Sequence, residues 1–218
     1  MRTISQVVEE IIERSPFLAE AMHEGIANNA KVARRIKSEV EKRLLEDVSE
    51  ASVAMALHRI GKISNRTPFG ARFLKHINDI TVRSNLVEYV FPNSTDMPAL
   101  TKLALSAARG NKDTFVHFSR GLHESLLVIN KDAEKNVLEG LKRQKTARRI
   151  ENLSAITMRL PKASLNVPGV YYPILKALAL EGISFVEVLS VNTEFGILFE
   201  DKDVDHAFST IKKLTSAG

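Results

Sequence analysis

The fold is decided by residues 153–214, LSAITMRLPKASLNVPGVYYPILKALALEGISFVEVLSVNTEFGILFEDKDVDHAFSTIKKL. Ala155–Arg159 is typical of a strand, because apolar and β-branched residues dominate it. A tight loop at Asn166–Gly169 follows, and an apolar stripe then predicts a helix over about Val170–Leu180. Gly182 is the expected stop of that helix, since glycine suits the position just past a helix end.

The remainder of the stretch predicts a hairpin and a last helix. The strands are expected over Phe185–Ser190 and Phe195–Phe199, and the closing helix begins at Asp203. The resulting order, strand–helix–strand–strand–helix, is a ferredoxin-like half-sandwich. We expect its two helices to cover one face of the sheet and the other face to be free.

The same order is predicted for the preceding segment. It has a strand, a helix capped by Asp96, a hairpin and a helix capped by Asp132, over Ile80–Phe91, Met97–Arg109, Thr114–Phe118 with Leu122–Ile129, and up to about Leu141. The chain therefore contains an internal repeat, clearer in pattern than in residue identity.

Helical periodicity fills the first 77 residues. The expected helices are one capped by Ser5, one over Phe17–Gly25, one from Asn28–Asn29, and one over Ala51–Ile60 between a Ser49 cap and a Gly61 stop. The fold class is thus α+β. An all-helical, helix-turn-helix-like domain (1–77) precedes two βαββα(β) domains, 78–150 and 151–218.

Composition narrows the class of protein. The chain has 218 residues, a net charge of +5 and no cysteine, which excludes disulfides, thiolate zinc sites and cysteine nucleophiles. No apolar run is long enough for a membrane span, and the start lacks a signal-peptide core. We expect a cytoplasmic protein that does not interact with membranes.

Basic residues are concentrated in the amino-terminal helices, where they suit a DNA-binding module. Ser49–Ile60 would be the recognition helix, with Arg72 and Lys75 among the phosphate contacts. The candidate nucleic-acid-binding residues are Arg34, Arg35, Lys37, His58, Arg59, Lys62 and Arg66. The alternative is a helical docking domain with a solvated charged face. A second basic cluster, 142–149, is expected to be a helix end or a linker.

The carboxyl-terminal repeat resembles the ACT domain, and within that superfamily the regulatory half of aspartokinases. The residues that carry the resemblance are Val167–Val170, Ile174–Leu178, Gly182–Val188 and Glu194–Phe199. The turn Ser190–Glu194 departs from the family pattern, because its serines are largely lost. The chain has neither room for an amino-acid kinase domain nor a Gly-rich phosphate loop. The resemblance therefore implies a pair of ACT domains without the kinase domain.

The resemblance implies that an amino acid binds between two copies. The expected ligand site is Asn166, Val167, Pro168, Gly169 and Val170. Backbone N–H groups of Gly169 and Val170 would hold the carboxylate at the helix start, and Asn166 would orient it. The alternative is a plain strand-to-helix turn that needs glycine for its dihedrals. The equivalent loop of the first copy, Phe91–Asp96, lacks the glycine.

The last copy has no fourth strand of its own, so its first strand would be an unpaired edge. Either Leu153–Leu160 is shared between the two copies, or another chain pairs with it. A homodimer through the ACT domains is expected on this ground.

These features predict a non-enzymatic regulator that senses an amino acid, with a helical output domain that binds DNA and regulates transcription. The alternative is an aspartokinase-related regulatory subunit of a biosynthetic enzyme, with helices that dock a protein. An enzyme is disfavoured, since no nucleophile–base pair or phosphate loop is present. No cofactor or metal is expected, because His117 and His123 lack a third ligand.

Overall fold

The computed structural model describes residues 2–63, 71–77, 79–93, 96–107, 114–142 and 148–216. The chain divides into two compact units, Met1–Arg72 and Phe73–Gly218. The first is helical, and both predicted sheet copies lie within the second.

The described part of the first unit contains four α-helices: α1 Ile4–Glu13, α2 Pro16–His23, α3 Asn29–Leu44 and α4 Glu50–Ile63. The apolar positions that recur every three or four residues face inward, so that α1 packs against α3 and α4. Val7, Val40, Val53 and Leu57 are fully buried in this core.

Two helix boundaries differ from the sequence prediction. Thr3, not Ser5, caps α1, because Thr3 and Gln6 form a reciprocal capping box. Gly61 does not end α4, which continues to Ile63. The predicted caps of the other two helix starts are present. The Asn28 side chain accepts N–H groups from Ala30 and Lys31, and Ser49 Oγ accepts the Ser52 N–H at 3.0 Å.

The second unit follows the predicted order twice. After a 3-10 helix at Ala71–His76, its elements are β1 Ile80–Pro92, α5 Met97–Ala107, β2 Val116–Arg120, β3 Glu124–Asn130, α6 Lys131–Lys142, β4 Arg148–Arg159, α7 Tyr172–Leu180, β5 Glu187–Val191, β6 Glu194–Glu200 and α8 Asp201–Ser216. Asp96 caps α5 through the Ala99 N–H, but Asp132 lies inside the first turn of α6. The predicted end of α5 at Arg109–Gly110 lies outside the described residues.

One six-stranded sheet joins the two copies, in the order β2-β3-β1-β4-β6-β5, and all of its pairings are antiparallel. β1 occupies the fourth-strand position of the second copy, and β4 occupies that of the first. The alternative in which Leu153–Leu160 is shared between copies is therefore confirmed. The expected open edge at this strand is wrong, because β1 and β6 pair with its two sides.

The β1–β4 pairing contains two bulges, one in each strand. Asn85 in β1 and Asn152 in β4 occupy them with left-handed φ angles of 61° and 56°. Each asparagine precedes a fully buried leucine, and those leucines, Leu86 and Leu153, are partners in the register. Asparagine tolerates this conformation better than most residues, which suits it to bulges. The two copies are thus related by an approximate two-fold axis between β1 and β4.

Both faces of the sheet carry buried apolar clusters. On one face Val87, Tyr89 and Phe91 pack with Leu100 of α5 and Val137 of α6. Side chains alternate along a strand, so Leu86, Val128, Leu153, Ala155 and Leu198 form a second buried cluster on the opposite face. The expectation of a free second face is wrong for this central region, where Phe115 and Val186 pack against the cluster.

Lys142 ends α6, as expected for the 142–149 cluster, but the basic residues at the end of the cluster are part of the sheet. Arg148 and Arg149 begin β4, while residues 143–147 lie outside the described part. Arg148 pairs with the buried Glu88 at 2.6 Å, and burial raises the pKa of that carboxyl, partly offset by Arg148. Arg149 binds Glu134, Glu151 and the Tyr89 hydroxyl. These arginines therefore have structural partners.

Candidate functional site

The predicted ligand loop connects β4 to α7 and is held by its own backbone. Pro161 begins a 3-10 turn, Lys162–Ser164, whose Ser164 N–H and Oγ both donate to the Pro161 carbonyl. The Val167 N–H donates to the Ser164 carbonyl at 3.1 Å. Asn166 and Gly169 have left-handed φ angles of 63° and 73°. The need for glycine at position 169 is thus conformational, whatever else the loop does.

The helix after this loop begins later than predicted. α7 starts at Tyr172, two residues past Val170, and the Gly169 carbonyl accepts the Tyr172 N–H at 3.0 Å. Pro173 lies in the first turn, where its fixed φ favours a helix start and its missing N–H costs nothing. Gly169 and Val170 therefore precede the helix, which corrects the prediction that their N–H groups form its amino terminus.

The loop is fastened to the turn between β5 and β6. The ring of Tyr171 stacks on that of Phe195 with centroids 4.2 Å apart, and its hydroxyl is 3.3 Å from Ser190 Oγ. The Leu160 N–H donates to the Thr193 carbonyl at 2.8 Å. The sequence did not predict Ser190 and Phe195 as neighbours of Tyr171.

A polar cavity of about 550 Å³ lies beside the same turn. Met158 and Phe195 are partners facing one side of the sheet, so Thr157, Arg159 and Glu194 face the opposite side. The cavity is lined by Asp79, Thr81, Thr157, Met158, Arg159, Val191, Asn192, Thr193 and Glu194. None of these residues was predicted as a site residue, because only the strand register brings positions 79, 159 and 194 together.

The candidate nucleic-acid residues are spread over two helices of the first unit. Arg34, Arg35 and Lys37 lie on α3, and His58 and Arg59 lie exposed on α4. Arg66 and the side chain of Lys62 lie outside the described residues, as does the side chain of Arg72. The structure therefore describes the side chains of five of the seven predicted residues.

Several of these bases already have acidic partners. Arg34 Nε is 3.4 Å from Glu50 Oε2, and Lys37 Nζ is 3.1 Å from Glu41 Oε1. The Val48 N–H also donates to Glu41, and this hydrogen bond and Lys37 lower the pKa of that carboxyl. His58 lies eight positions after Glu50 on the same helix, or roughly 12 Å along its axis. His58 therefore lies apart from the Arg34–Glu50 pair.

The histidines near the β2–β3 hairpin do not form a metal site in the described part of the chain. His117 pairs with Val128 in the sheet. Burial lowers the pKa of its imidazole, and the charge of Glu194 opposes that shift.

In the described ranges, no helix is long and apolar enough to cross a membrane.

No family model matches the sequence, and no curated protein does. Among solved structures, the chain is similar to the aspartate kinase of Clostridium acetobutylicum, described as an allosteric enzyme. The TM-score is 0.52 at 16% identity, over 64% of this chain and 35% of that one. The chain has a fold similar to part of this aspartate kinase. The ACT resemblance predicted from Val167–Phe199 is thereby confirmed at the level of the fold.

Two other solved structures superpose less well. The regulatory subunit of aspartate kinase from Thermus thermophilus matches with a TM-score of 0.48 at 11% identity, over 63% of this chain and 98% of that one. A structure of aspartokinase alpha and beta subunits matches at 0.48 and 14% identity, over 64% and 99%. The chain spans about a third of the length of the Clostridium enzyme.

Proposed function

We propose that this protein is a non-enzymatic regulator that senses an amino acid through its paired ACT copies. The observation that carries the proposal is the position of β4. This strand completes the sheet of both copies and leads directly into the Asn166–Val170 loop. A ligand that binds this loop more tightly in one arrangement of the strands would shift both copies toward that arrangement. The aspartokinase-like fold supports the same role.

In this proposal the ligand carboxylate is bound by the loop backbone at Gly169 and Val170, with Asn166 beside it. The left-handed residues Asn166 and Gly169 turn the backbone sharply at this point, and successive N–H groups in such turns favour anions. The fastening of Tyr171 to Ser190 and Phe195 keeps the loop in place against β5 and β6. A second copy of the chain would complete the site in a homodimer.

A thermal-shift titration of the full chain with each of the twenty amino acids tests the sensing role. A true ligand raises Tm in a concentration-dependent way, by mass action. Gly169→Ala is expected to abolish the shift, because alanine is strained at a φ of 73°. Gly25→Ala is the matched control, since Gly25 has a φ of 71° in the helical unit and open space around it. No shift with any amino acid contradicts the proposal.

The helical unit is the proposed output domain, and DNA is its first candidate partner. The exposed bases Arg35, His58 and Arg59 carry no ion pair among the described residues, which leaves them available for phosphate. Gel-shift assays on random-sequence duplexes at low salt test this role. Arg35→Gln with Arg59→Gln is expected to weaken binding, whereas Lys202→Gln in α8 is a matched control. Absence of any DNA affinity in the unaltered chain rules out this version.

A specific observation supports the second candidate, docking of a protein such as an amino-acid biosynthetic enzyme. A mainly apolar cavity of about 600 Å³ lies in the helical unit, beside Ile11, Phe17 and Ile36. Phe17 is 74% exposed, and large exposed apolar side chains are common at protein interfaces. Phe17→Ser is expected to abolish capture of such an enzyme and to leave DNA affinity unchanged. The reverse result favours DNA binding.

A further inference from the structure

Three charged residues meet at the cavity beside the β5–β6 turn without pairing. Arg159 is the register partner of Glu194 on β6, and its N–H donates to the Asp79 carbonyl at 3.2 Å. The guanidinium thus has a carboxylate-bearing neighbour on each side, and all three residues line the cavity. None of the three side chains takes part in an ion pair within the described part of the chain.

This arrangement leaves the guanidinium available to a ligand. An exposed arginine gains only about 0–1 kcal/mol from a surface ion pair, so a pairing with Asp79 or Glu194 would be easily exchanged. The planar fork of arginine fits a carboxylate bidentately, and that geometry gives both affinity and orientation. The flanking carboxylates then favour a positive charge on the same ligand, close to its own carboxylate.

The rest of the lining favours a small and polar ligand. Thr81 and Thr157 are register partners on adjacent strands, and Asn192 and Thr193 form the turn at the rim. Their hydroxyl and amide groups both donate and accept hydrogen bonds. The volume of about 550 Å³ lies within the range of small-molecule sites. Asp79 and Thr81 belong to the first copy and the other lining residues to the second, so a ligand here contacts both copies.

We propose that this cavity binds a small zwitterion, with its carboxylate on Arg159 and its ammonium group between Asp79 and Glu194. The site lies on the sheet face opposite Phe195 and Tyr171 and does not include the Asn166–Val170 loop. The geometry of this site therefore does not depend on that loop. It shares with the proposed function only the class of ligand, and the experiment below separates the two.

Calorimetric titration of the full chain at low salt tests the site. The probes are the twenty amino acids, with propionate and propylamine as analogues that each lack one charge. At least one amino acid is expected to bind, and both analogues to bind at least about tenfold more weakly, as the loss of one charged hydrogen-bonding group implies. Equal affinity for an amino acid and either analogue overturns the proposal.

Substitutions test whether the amino acid binds at this cavity. Arg159→Gln and Glu194→Gln are each expected to weaken binding at least about tenfold, whereas Arg120→Gln, an exposed arginine of β2, leaves it unchanged. Circular dichroism of every variant checks folding, and Asp79→Asn replaces any variant that misfolds. Binding lost in Gly169→Ala but kept in Arg159→Gln and Glu194→Gln overturns this site and leaves the proposed function standing. No binding of any amino acid contradicts both.

Discussion

Leu86 and Leu153 are cross-strand partners at the centre of the sheet, and each follows an asparagine in a left-handed bulge. Both leucines are fully buried in the cluster that Val128, Ala155 and Leu198 complete. This pair lies where the two copies meet. Contacts made there stabilise both copies at once.

Truncation of this pair is expected to destabilise the whole sheet unit. Leu153→Ala removes buried methyl groups and leaves a cavity, which typically costs about 2–5 kcal/mol. Denaturant unfolding followed by circular dichroism measures the change. Leu180→Ala is the matched control, because Leu180 is 77% exposed on α7, and its effect is expected within about 0.5 kcal/mol. Similar costs for the two variants would show that the β1–β4 contact does not have this central role.

Replacing a bulge asparagine with alanine is expected to cost more stability than replacing it with glycine. Asn152 has a φ of 56°, where alanine costs about 1–2 kcal/mol and glycine costs nothing sterically. Asn152→Ala should therefore lower the free energy of unfolding more than Asn152→Gly. The two variants form their own control, because both remove the asparagine side chain. Equal stabilities would contradict the left-handed bulge.

Acid is expected to remove the contribution of the Glu151 carboxylate to the stability of the fold. Hydrogen bonds first from Lys131 and then from Arg149 lower its pKa from an ordinary 4.5 to about 2. A pKa lowered in the folded state means that the carboxylate stabilises the fold above pH 4.5 and loses this effect as the pH falls through about 2. The Tm difference between the unaltered chain and Glu151→Gln should be largest at neutral pH and close by about pH 2.

The control for this titration is Glu46→Gln, since Glu46 lies exposed after α3 and forms no ion pair among the described residues. This variant removes an exposed carboxylate that lacks such partners in the described part of the chain. A Glu151→Gln difference that does not change with pH would contradict the role of Lys131 and Arg149.

The two candidate caps of α1, Thr3 and Ser5, are expected to respond differently to replacement by alanine. Thr3→Ala is expected to cost about 1 kcal/mol, because the Gln6 N–H loses its acceptor. Ser5→Ala should change stability little, since Ser5 lies within the helix. Amide hydrogen exchange across Gln6–Ile12 measures both. Faster exchange in Ser5→Ala than in Thr3→Ala would restore the cap first predicted.

The repeat and its element order were predictable because they depend on local signals. Apolar periodicity, the Asp96 cap and glycine at Gly182 act within a few residues, and the structure has the corresponding elements. The capping box was also visible, since Thr3 and Gln6 have the required spacing. The burial of both sheet faces had a signal too, in the nearly continuous apolar run Leu86–Phe91.

The polar cavity and the shared strand depend on pairing between distant positions. Asp79, Arg159 and Glu194 are far apart in sequence, and a one-residue slip of register would move these side chains to the other face. No local pattern fixes that register. The same reason explains Arg148 and Glu88, which meet only because β4 begins five residues before Leu153 and pairs with β1 around two bulges.

Because β1 and β4 each complete the sheet of the other copy, β1 must wait for the synthesis of β4. During synthesis β1 is complete at Pro92, whereas β4 begins at Arg148, so 56 residues must be added before the two can meet. At about 5–20 residues per second, this delay is roughly 3–11 s. Once β3 is complete at Asn130, β1 can pair with it on one side, and a bare row of N–H and C=O groups remains on the other until β4 is made. A nascent chain of this protein therefore has several seconds in which an unrelated strand could occupy the place reserved for its own second half.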